Sequence, residues 1–497
     1  MLATMLPLIY PPIPPLVDLL GHMGRFKVEL DIDDSPFLSR YFGYHWAAIG
    51  NLGVDVLLLG TAPLLGLEAA VKLIVLAIPP LTAIGFLWVA REVHGRIPPT
   101  AFFALPFIYG YPFLFGFVNF TLSVALAFLA FALWLRLTRL DRIVLRSWLF
   151  VPISVLVFFC HIYGWALLGL LSFSAETVRL HDRGRVWPGA VVEAALRTSV
   201  MALPLVIMLV WKTESHPGAT DHWFDFSAKI QWILSALRDR WEWFDVSAVL
   251  TLIVVVEARR QEGLGLARNL ALCALALSVT FVLLPLVISG SAYADMRFVP
   301  YMFALALLAI SLRPEASAAR ANLLAAVGLA FFAVRTTATT ASLVIAANHQ
   351  QAQLAALDSV PEGARVATLV GAPCNFHWPL PRRTHLGSMV ILRREGFSND
   401  QWLIQGINLL YLKDTAVRLF AADPSELVHP SGCRESIAPW STNEALRALP
   451  RQAFDYLWLL DVPAFNRGML KGMEPVWRGP NAVLYRIPHT EQTVNKL

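Results

Sequence analysis

Four ionisable side chains follow one another at helical spacing where the first apolar stretch of the chain ends. Asp18, His22, Arg25 and Glu29 are four, three and four residues apart, which places them on one face of a helix. A partly desolvated carboxylate at the edge of a membrane span can act as a general base. His22 and Arg25 could orient Asp18 or bind a phosphate oxygen of a substrate. The alternative is an interfacial helix whose polar face meets water and lipid headgroups.

Further polar groups stand in short segments between apolar runs. Asn119 lies in "GFVNF", His161 lies in "CHIYGW", and Asp295 and Arg297 lie in "SAYADMRF". Ionisable groups at the edge of a membrane are candidates for function by default, so we predict that all four bind substrate. Each also has a structural explanation. Asn119 could form a turn, and His161 could be a core histidine bonded to a backbone carbonyl. Asp295 and Arg297 could form an anchoring ion pair at the membrane edge.

Two acidic or polar pairs add a second kind of site. Asp31 and Asp33, in "DIDD", could ligate a divalent cation, or they could form a solvated acidic loop. Asn51 and Asp55 are four residues apart in the apolar segment 46–66, which we interpret as a re-entrant or interfacial element. Their side chains either face water at the interface or line the same cavity as the other candidates.

The composition is that of a polytopic membrane protein. The chain has 497 residues, of which 57% are hydrophobic and 15% are charged, and its mean hydropathy is +0.57. Soluble domains carry about 25% charged residues. The formal charge of +5 is spread along the chain without a Lys/Arg run, so we expect no nucleic-acid partner. The sequence also contains no P-loop and no GxGxxG motif.

Apolar runs of helical length recur along the first 346 residues and predict an all-α membrane domain of about eleven crossings. The first run is short and prolines break its end, which indicates either a half-helix or a start site placed too late, with part of the first span missing. The predicted crossings are 1–16, 68–90, 99–117, 118–135, 147–160, 163–178, 190–211, 246–257, 268–288, 298–312 and 321–346.

The loops between these runs alternate in charge. Basic segments at 136–146, 179–185, 258–268 and 313–320 alternate with acidic or mixed loops, of which 17–67 is the largest. Basic loops face the cytoplasm. The alternation therefore predicts a cytoplasmic N-terminus and a C-terminal domain outside the bacterial inner (plasma) membrane. It also makes 147–178 a hairpin whose tip is near His161.

The tail, residues 347–497, has the pattern of a small α/β domain. The segments 364–371 and 454–462 read as buried strands, and 482–487 reads as a closing strand. Cys374 and Cys433 both lie in this tail and could pair if it faces an oxidising compartment. Cys160 and Cys273 fall in apolar runs and are predicted to pack in the core.

Several of these segments carry a family resemblance. "PPLVDLLGHMGR", "GFVNF", "CHIYG" and "YADMRF" resemble a bacterial subfamily of integral membrane proteins grouped with the GT-C superfamily of polyprenyl-phosphate-sugar-dependent glycosyltransferases. The architecture is also similar, with an acidic residue just after the first span, many short spans and an extracytoplasmic C-terminal domain. The resemblance covers most of the chain.

The resemblance implies a reaction on the outer face of the membrane. A polyprenyl-phosphate-linked sugar would be the donor, and a glycan, lipid or protein of the envelope would be the acceptor. Asp18 would be the catalytic base, and Arg297, His161 or Arg25 would stabilise the leaving phosphate. No nucleotide is needed at such a site, and a divalent cation is left open as a cofactor.

Two other functions remain open at this stage. A transporter or flippase would carry charged residues in the middle of its spans. The candidates, Lys72, Glu193 and Arg335, each lie within reach of a span end. A non-catalytic scaffold for envelope assembly would depend on the surface of the tail and not on Asp18.

Overall fold

The computed structural model describes residues 1–210, 219–404, 408–433 and 436–489. The chain folds into two compact units, and both units are discontinuous in sequence. Residue 211 of one predicted crossing and residues 212–218 of the following loop lie outside the described residues. The helical unit comprises Met1–Pro12, Ala48–Gly60 and Ala70–Val344, and the tail unit comprises Ile13–Ala47, Thr61–Ala69 and the chain from Ile345 onward.

Apolar helices dominate the part of the chain that was predicted to cross the membrane. Among the described residues, four helices are long and apolar enough to span it: Leu67–His94, Val118–Arg139, Ile143–Cys160 and Ala318–Ser359. Each coincides with a predicted crossing. A fifth span would result if Trp187–Met201 and Leu203–Val210, which meet at 58°, were counted together.

The predicted total of about eleven crossings is not confirmed. Arg268–Leu283 and Met296–Leu308 fall at predicted crossings but are short, since a span needs about 20 helical residues. The segment Pro99–Tyr109 is a 3₁₀-helix, followed by the α-helix Tyr111–Phe115. Near the N-terminus the helical structure ends at Ile9, before the four prolines at 11, 12, 14 and 15.

The remaining helical segments of this region are short or carry polar ends. The predicted break near His161 is confirmed, because one helix ends at Cys160 and the next begins at Ile162. Two short strands, Leu264–Leu266 and Ile310–Leu312, pair antiparallel. The other segments are Leu2–Met5, Leu6–Ile9, Gly53–Leu65, Ile162–Asp182, Trp187–Thr198, Ser199–Met201, Leu203–Val210, Phe226–Leu234, Glu242–Val246, Ser247–Leu250, Thr251–Arg260, Arg268–Leu283, Met296–Phe298, Val299–Leu308 and Ala318–Leu354.

The tail unit is built around a seven-stranded sheet, and the three strands predicted from the sequence are confirmed. They are Arg365–Gly371, Tyr456–Leu460 and Ala482–Arg486. The sheet's other strands are Phe397–Ser398, Leu427–His429, Trp440–Ser441 and Glu474–Gly479. Outside the sheet, Phe42–Tyr44 pairs with Leu410–Leu412, and the helical segments are Leu19–Asp31, Leu38–Tyr41, Ala355–Ser359, Ser388–Arg394, Arg418–Phe420, Thr442–Ala448, Arg451–Ala453 and Arg467–Leu470.

On one side of the central strand, Arg365–Gly371, two short strands take the place of a single continuous strand. On its other side the central strand runs parallel to Tyr456–Leu460. Of the two short parallel strands, Phe397–Ser398 pairs with its first two residues, and Leu427–His429 pairs with its last two. The first short strand therefore ends close to where the second begins. Ladder hydrogen bonds are missing at such a break, so side chains must supply the partners.

The segment after the prolines belongs to the core of the tail unit. Val28, from the helix Leu19–Asp31, lies in the same buried cluster as Leu369 and Phe397 of the sheet. Burial of such apolar side chains stabilises a fold by roughly 1.5–3 kcal/mol each. The predicted pairing of Cys374 with Cys433 is confirmed as a disulfide, and Cys160 and Cys273 are buried and free as predicted.

Candidate active site

The helix predicted from the polar stripe is confirmed, but its surroundings differ from the amphipathic interpretation. It covers Leu19–Asp31, and Asp18 is its N-cap residue. Asp18 is 9% exposed, Arg25 3% and Glu29 7%. The alternative in which this face meets water is therefore wrong. The helix is buried because the tail unit packs on its polar face as well as on Val28.

Two glycines allow that close packing. A Cβ atom on Gly21 would lie 2.6 Å from the Trp402 ring and 3.1 Å from Cγ of His385, and one on Gly24 would lie 2.8 Å from Nε2 of Gln401. Such distances exclude a larger residue unless the neighbour moves. The Gln401 amide also donates to the carbonyl oxygen of Gly21 at 3.1 Å. The helix that begins at Asp18 is thus held rigidly.

His385 is the titratable neighbour of Asp18. Its Nε2 atom lies 3.9 Å from Oδ1 of Asp18, and the imidazole is almost fully buried. Its Nδ1 atom lies 2.7 Å from the carbonyl oxygen of Asp400, to which it donates a hydrogen bond. Nε2 is then the nitrogen with the lone pair in the neutral ring. A separation of 3.9 Å is too long for a hydrogen bond but allows an atom bound to both groups.

The predicted partners of Asp18 on its own helix have other contacts. The His22 ring lies 5.0 Å from the Trp402 ring, which in turn lies 4.2 Å from the His385 ring. Nη1 of Arg25 lies 3.5 Å from Oε2 of Glu29, and both side chains are buried. A buried pair of this kind is costly to break. The phosphate contact of Arg25 stays a prediction.

One carboxylate of the "DIDD" segment, that of Asp31, forms an ion pair with a lysine. Lys27 forms an ion pair with Asp31, and its Nζ lies 2.9 Å from Oε1 of Glu395. Asp33 is exposed. The hydroxyl of Ser35 donates to Glu395 at 2.7 Å, and this bond, followed by the bond from Lys27, lowers the pKa of that carboxyl. The segment contributes to the stability of the tail unit through these contacts.

In the helical unit, Asn119 forms hydrogen bonds with the segment 46–66, which was predicted to be re-entrant or interfacial. Its Oδ1 accepts from the backbone N–H of Val54 at 2.6 Å, and its Nδ2 donates to the Asn51 carbonyl at 2.9 Å and to Asp55 at 3.0 Å. Asp55 is fully buried, and Asn51 precedes the helix Gly53–Leu65. The expectation that Asn51 and Asp55 share a water-facing helix face is wrong, because Asn119 binds both.

His161 and Arg297 come together around shared aromatic rings. His161 is the N-cap of its helix, and its Nδ1 accepts from the backbone N–H of Tyr163 at 3.1 Å. The guanidinium carbon of Arg297 lies 4.1 Å from the Phe117 ring centre and 5.4 Å from that of Tyr163. The His161 ring lies 5.4 Å from the Tyr163 ring. These two predicted substrate-binding residues therefore form one buried, cationic and aromatic cluster.

Asp295 makes its ion pair with Lys229, a residue that the sequence analysis did not single out. The two charged groups are 2.9 Å apart, and both are almost completely buried. Lys229 also donates to the carbonyl oxygens of Phe281 at 2.9 Å and Leu284 at 2.8 Å. The ammonium group of Lys229 is thus bound by three acceptors, and substrate binding by Asp295 stays a prediction.

Several further residues of these sites were missed in the sequence. Gly21 and Gly24 gave a usable signal, because a glycine inside a helix costs about 1 kcal/mol and indicates close approach of another segment. His385, Asp423 and Glu426 gave none, since only the sheet brings them together. Each of these three side chains offers a metal-ligating atom, and the three atoms lie within 4.8 Å of one another.

Two solved structures share the fold of this chain. The crystal structure of ArnT from Cupriavidus metallidurans bound to undecaprenyl phosphate matches with a TM-score of 0.50 and 13% identity, covering 98% of this chain and 97% of that chain. The apo state of ArnT matches with a TM-score of 0.51 and 13% identity, covering 98% and 96%. Protein-family models and curated proteins give no match. The chain therefore has the fold of ArnT, a GT-C-like fold, as the sequence resemblance predicted. Its long apolar helices indicate an integral membrane protein.

Proposed function

We propose that this chain transfers a sugar from a polyprenyl-phosphate donor to a hydroxyl group of an envelope glycan, lipid or protein. The observation that carries the proposal is the Asp18 carboxylate, which is 9% exposed and begins a rigidly packed helix in a chain with a GT-C-like fold. ArnT, which shares that fold, binds undecaprenyl phosphate in its crystal structure, so a sugar linked to a polyprenyl phosphate is the first donor to test.

In the proposed reaction, Asp18 takes the proton from the acceptor hydroxyl while that oxygen attacks the anomeric carbon of the donor sugar. A new carbon–oxygen bond forms. The bond from the anomeric carbon to the phosphate oxygen breaks, and polyprenyl phosphate leaves with the electron pair. The tight packing at Gly21 and Gly24 keeps the carboxylate in one orientation, as a base that must meet its proton at hydrogen-bond distance requires.

We assign stabilisation of the leaving phosphate to Arg297, with His161 beside it. Negative charge grows on the phosphate oxygens as the bond breaks, and a fixed cation stabilises that charge more than it stabilises the substrate. Phe117 and Tyr163 restrict the Arg297 guanidinium by packing against it, so little reorganisation is needed during the reaction. The buried, low-polarity surroundings strengthen the interaction with an anion.

We place the reaction on the outer face of the bacterial inner (plasma) membrane. The alternation of basic and acidic loops supports a cytoplasmic N-terminus and an external tail. The disulfide between Cys374 and Cys433 also supports this orientation, because disulfides persist in oxidising compartments.

The function is tested by comparing envelope glycans and glycolipids by mass spectrometry. A deletion strain is complemented with the wild type, with Asp18→Asn, or with Glu362→Gln, which alters an exposed carboxylate of the tail. We expect one sugar to be lost in the deletion strain and restored by the wild type and Glu362→Gln but not by Asp18→Asn, at equal protein levels. Full restoration by Asp18→Asn would exclude Asp18 as the base. A deletion that loses no sugar would favour transport or scaffolding.

A further inference from the structure

The break between two short strands of the tail sheet brings three metal-ligating side chains together. His385 precedes the helix Ser388–Arg394, whereas Asp423 and Glu426 precede the strand Leu427–His429. One ligating atom from each lies within 4.8 Å of the other two. Atoms that bind one ion tetrahedrally at about 2.1 Å are about 3.4 Å apart. The group can therefore close on one ion with side-chain movements of less than about 1 Å.

The main chain around this group is fixed. The backbone N–H of Asp423 donates to the Gln401 carbonyl at 3.0 Å, and the carbonyl of Glu426 accepts from the N–H of Val370 at 2.7 Å. Asn399 bridges the strand break by donating to the Ser425 hydroxyl at 3.1 Å. A site whose backbone is fixed on both sides loses little entropy when its ligands bind an ion.

The burial of the Glu426 carboxylate points to a bound cation. The side chain of Glu426 is completely buried, and neither carboxylate oxygen has a hydrogen-bond partner among the described residues. Its carboxylate points into the group that it forms with His385 and Asp423. Burial of an unpaired carboxylate costs several kcal/mol. A carboxylate group in this position needs either a proton or a positive partner.

His385 is oriented as metal-bound histidines commonly are. Its Nδ1 donates to the backbone carbonyl of Asp400 at 2.7 Å, which turns Nε2 and its lone pair away from that contact. Metal-ligating histidines almost always use the second nitrogen in this way, because the bond fixes the tautomer and the ring orientation. The same Nε2 atom lies 3.9 Å from Oδ1 of Asp18.

We propose that His385, Asp423 and Glu426 bind one divalent transition-metal ion, with Zn²⁺ as the first ion to test. One imidazole nitrogen and two carboxylate oxygens form a ligand set that suits Zn²⁺, whereas Ca²⁺ and Mg²⁺ prefer oxygen ligands alone. The two carboxylates balance the charge of the ion. The ion would join the loop at 385 to the segment 423–426 and so stabilise the surroundings of Asp18. This inference does not depend on the proposed transfer reaction.

Metal content tests the proposal directly. The full-length protein is purified in detergent through a tag that binds no metal, without chelators, and is analysed by elemental mass spectrometry. We expect about one equivalent of metal per chain in the wild type and at least about ten-fold less in His385→Ala and Glu426→Gln. The matched controls are His349→Ala and Glu362→Gln, which alter exposed side chains of the tail unit and should keep the metal.

A second measurement separates metal loss from misfolding. Chelation should lower the Tm of the wild type and leave that of Glu426→Gln unchanged, because only a bound ion adds stability. Glutamine has nearly the same shape as glutamate and removes the repulsion from Asp423, so this variant should fold. The proposal is overturned if the wild type holds no metal and takes up no added Zn²⁺. It is also overturned if Glu426→Gln binds as much metal as the wild type.

Discussion

One cluster in each unit buries charge, and the two clusters do so in different ways. In the helical unit, the Arg297 guanidinium packs on the Phe117 and Tyr163 rings, next to His161. In the tail unit, the Asp18 carboxylate faces His385, which belongs to a group with two more carboxylates. Aromatic faces can stabilise a cation by about 2 kcal/mol when water is excluded. Clustered carboxylates instead require a proton or a cation. The first arrangement suits an anionic ligand, and the second suits proton transfer or metal binding.

The largest effect should come from replacing the Asp18 carboxylate. We expect Asp18→Asn to lower the transfer rate by about 10²–10⁴-fold, because a general base contributes that much and asparagine cannot take the proton. Initial rates with a lipid-phosphate sugar donor and purified protein would measure it. Glu362→Gln is the matched control and should keep the wild-type rate. A loss of less than about three-fold would exclude Asp18 as the base.

Replacement of the Arg297 guanidinium should give the next largest effect. Removal of one group that stabilises transition-state charge typically costs 10²–10³-fold in rate, and we expect about this loss in kcat for Arg297→Ala. Arg297→Lys should recover only part of it, since an ammonium group does not stack on rings as a planar guanidinium does. Arg183→Ala, which alters an exposed arginine, is the control. An unchanged kcat in Arg297→Ala would make Arg297 a packing residue.

A smaller effect is expected where the tail unit holds the Asp18 helix. Gly21→Ala adds a methyl group 2.6 Å from the Trp402 ring, and such overpacking typically costs about 1–3 kcal/mol. The thermal unfolding midpoint in detergent would report this loss. Gly169→Ala is the matched control, because a Cβ there meets no atom within 4 Å in the described structure. It should be neutral or slightly stabilising. Equal midpoints for both variants would show that the packing at Gly21 is loose.

The smallest effect concerns pH. Glu395 has a lowered pKa because Ser35 and Lys27 donate to its charged form, so it stabilises the fold above its ordinary pKa of 4.5. That stability is lost as the pH falls through the lower folded-state pKa. The side chain is 28% exposed, so we expect at most about 1 kcal/mol. Unfolding midpoints between pH 3 and pH 7 should depend less on pH in Glu395→Gln than in the wild type, and Glu362→Gln should behave as the wild type.

The sequence predicted those features whose cause is local. Helical spacing gave the helix after Asp18, and runs of apolar residues gave the strand Tyr456–Leu460 and the four long helices. The burial of Arg25 and Glu29 could not be predicted in this way, because a polar helix face looks the same whether water or a second segment covers it. Span counting failed for a related reason. Helix length depends on where the chain bends, and prolines near Ile9 end a helix that hydropathy alone would continue.

Side-chain clusters built from distant segments could not be predicted from the sequence for a different reason. Nothing near His385 indicates Asp423 and Glu426, because the interrupted strand pairing along Arg365–Gly371 is what joins them. The contact of Asn119 with Asp55 is likewise a product of tertiary packing. Residue types gave plausible candidates in both units, whereas only the fold could supply their partners.

The discontinuity of the tail unit has a consequence for biosynthesis. The strand Phe42–Tyr44 pairs with Leu410–Leu412, and the membrane helices are made in between. At about 5–20 residues per second, roughly 20–70 s of translation separate the two strands. Over that time the early segment, which contains apolar residues such as Val28, lacks the sheet against which it packs in the folded chain. The tail unit can therefore complete its fold only late in synthesis, and a tail expressed alone from residue 347 would lack part of its own core.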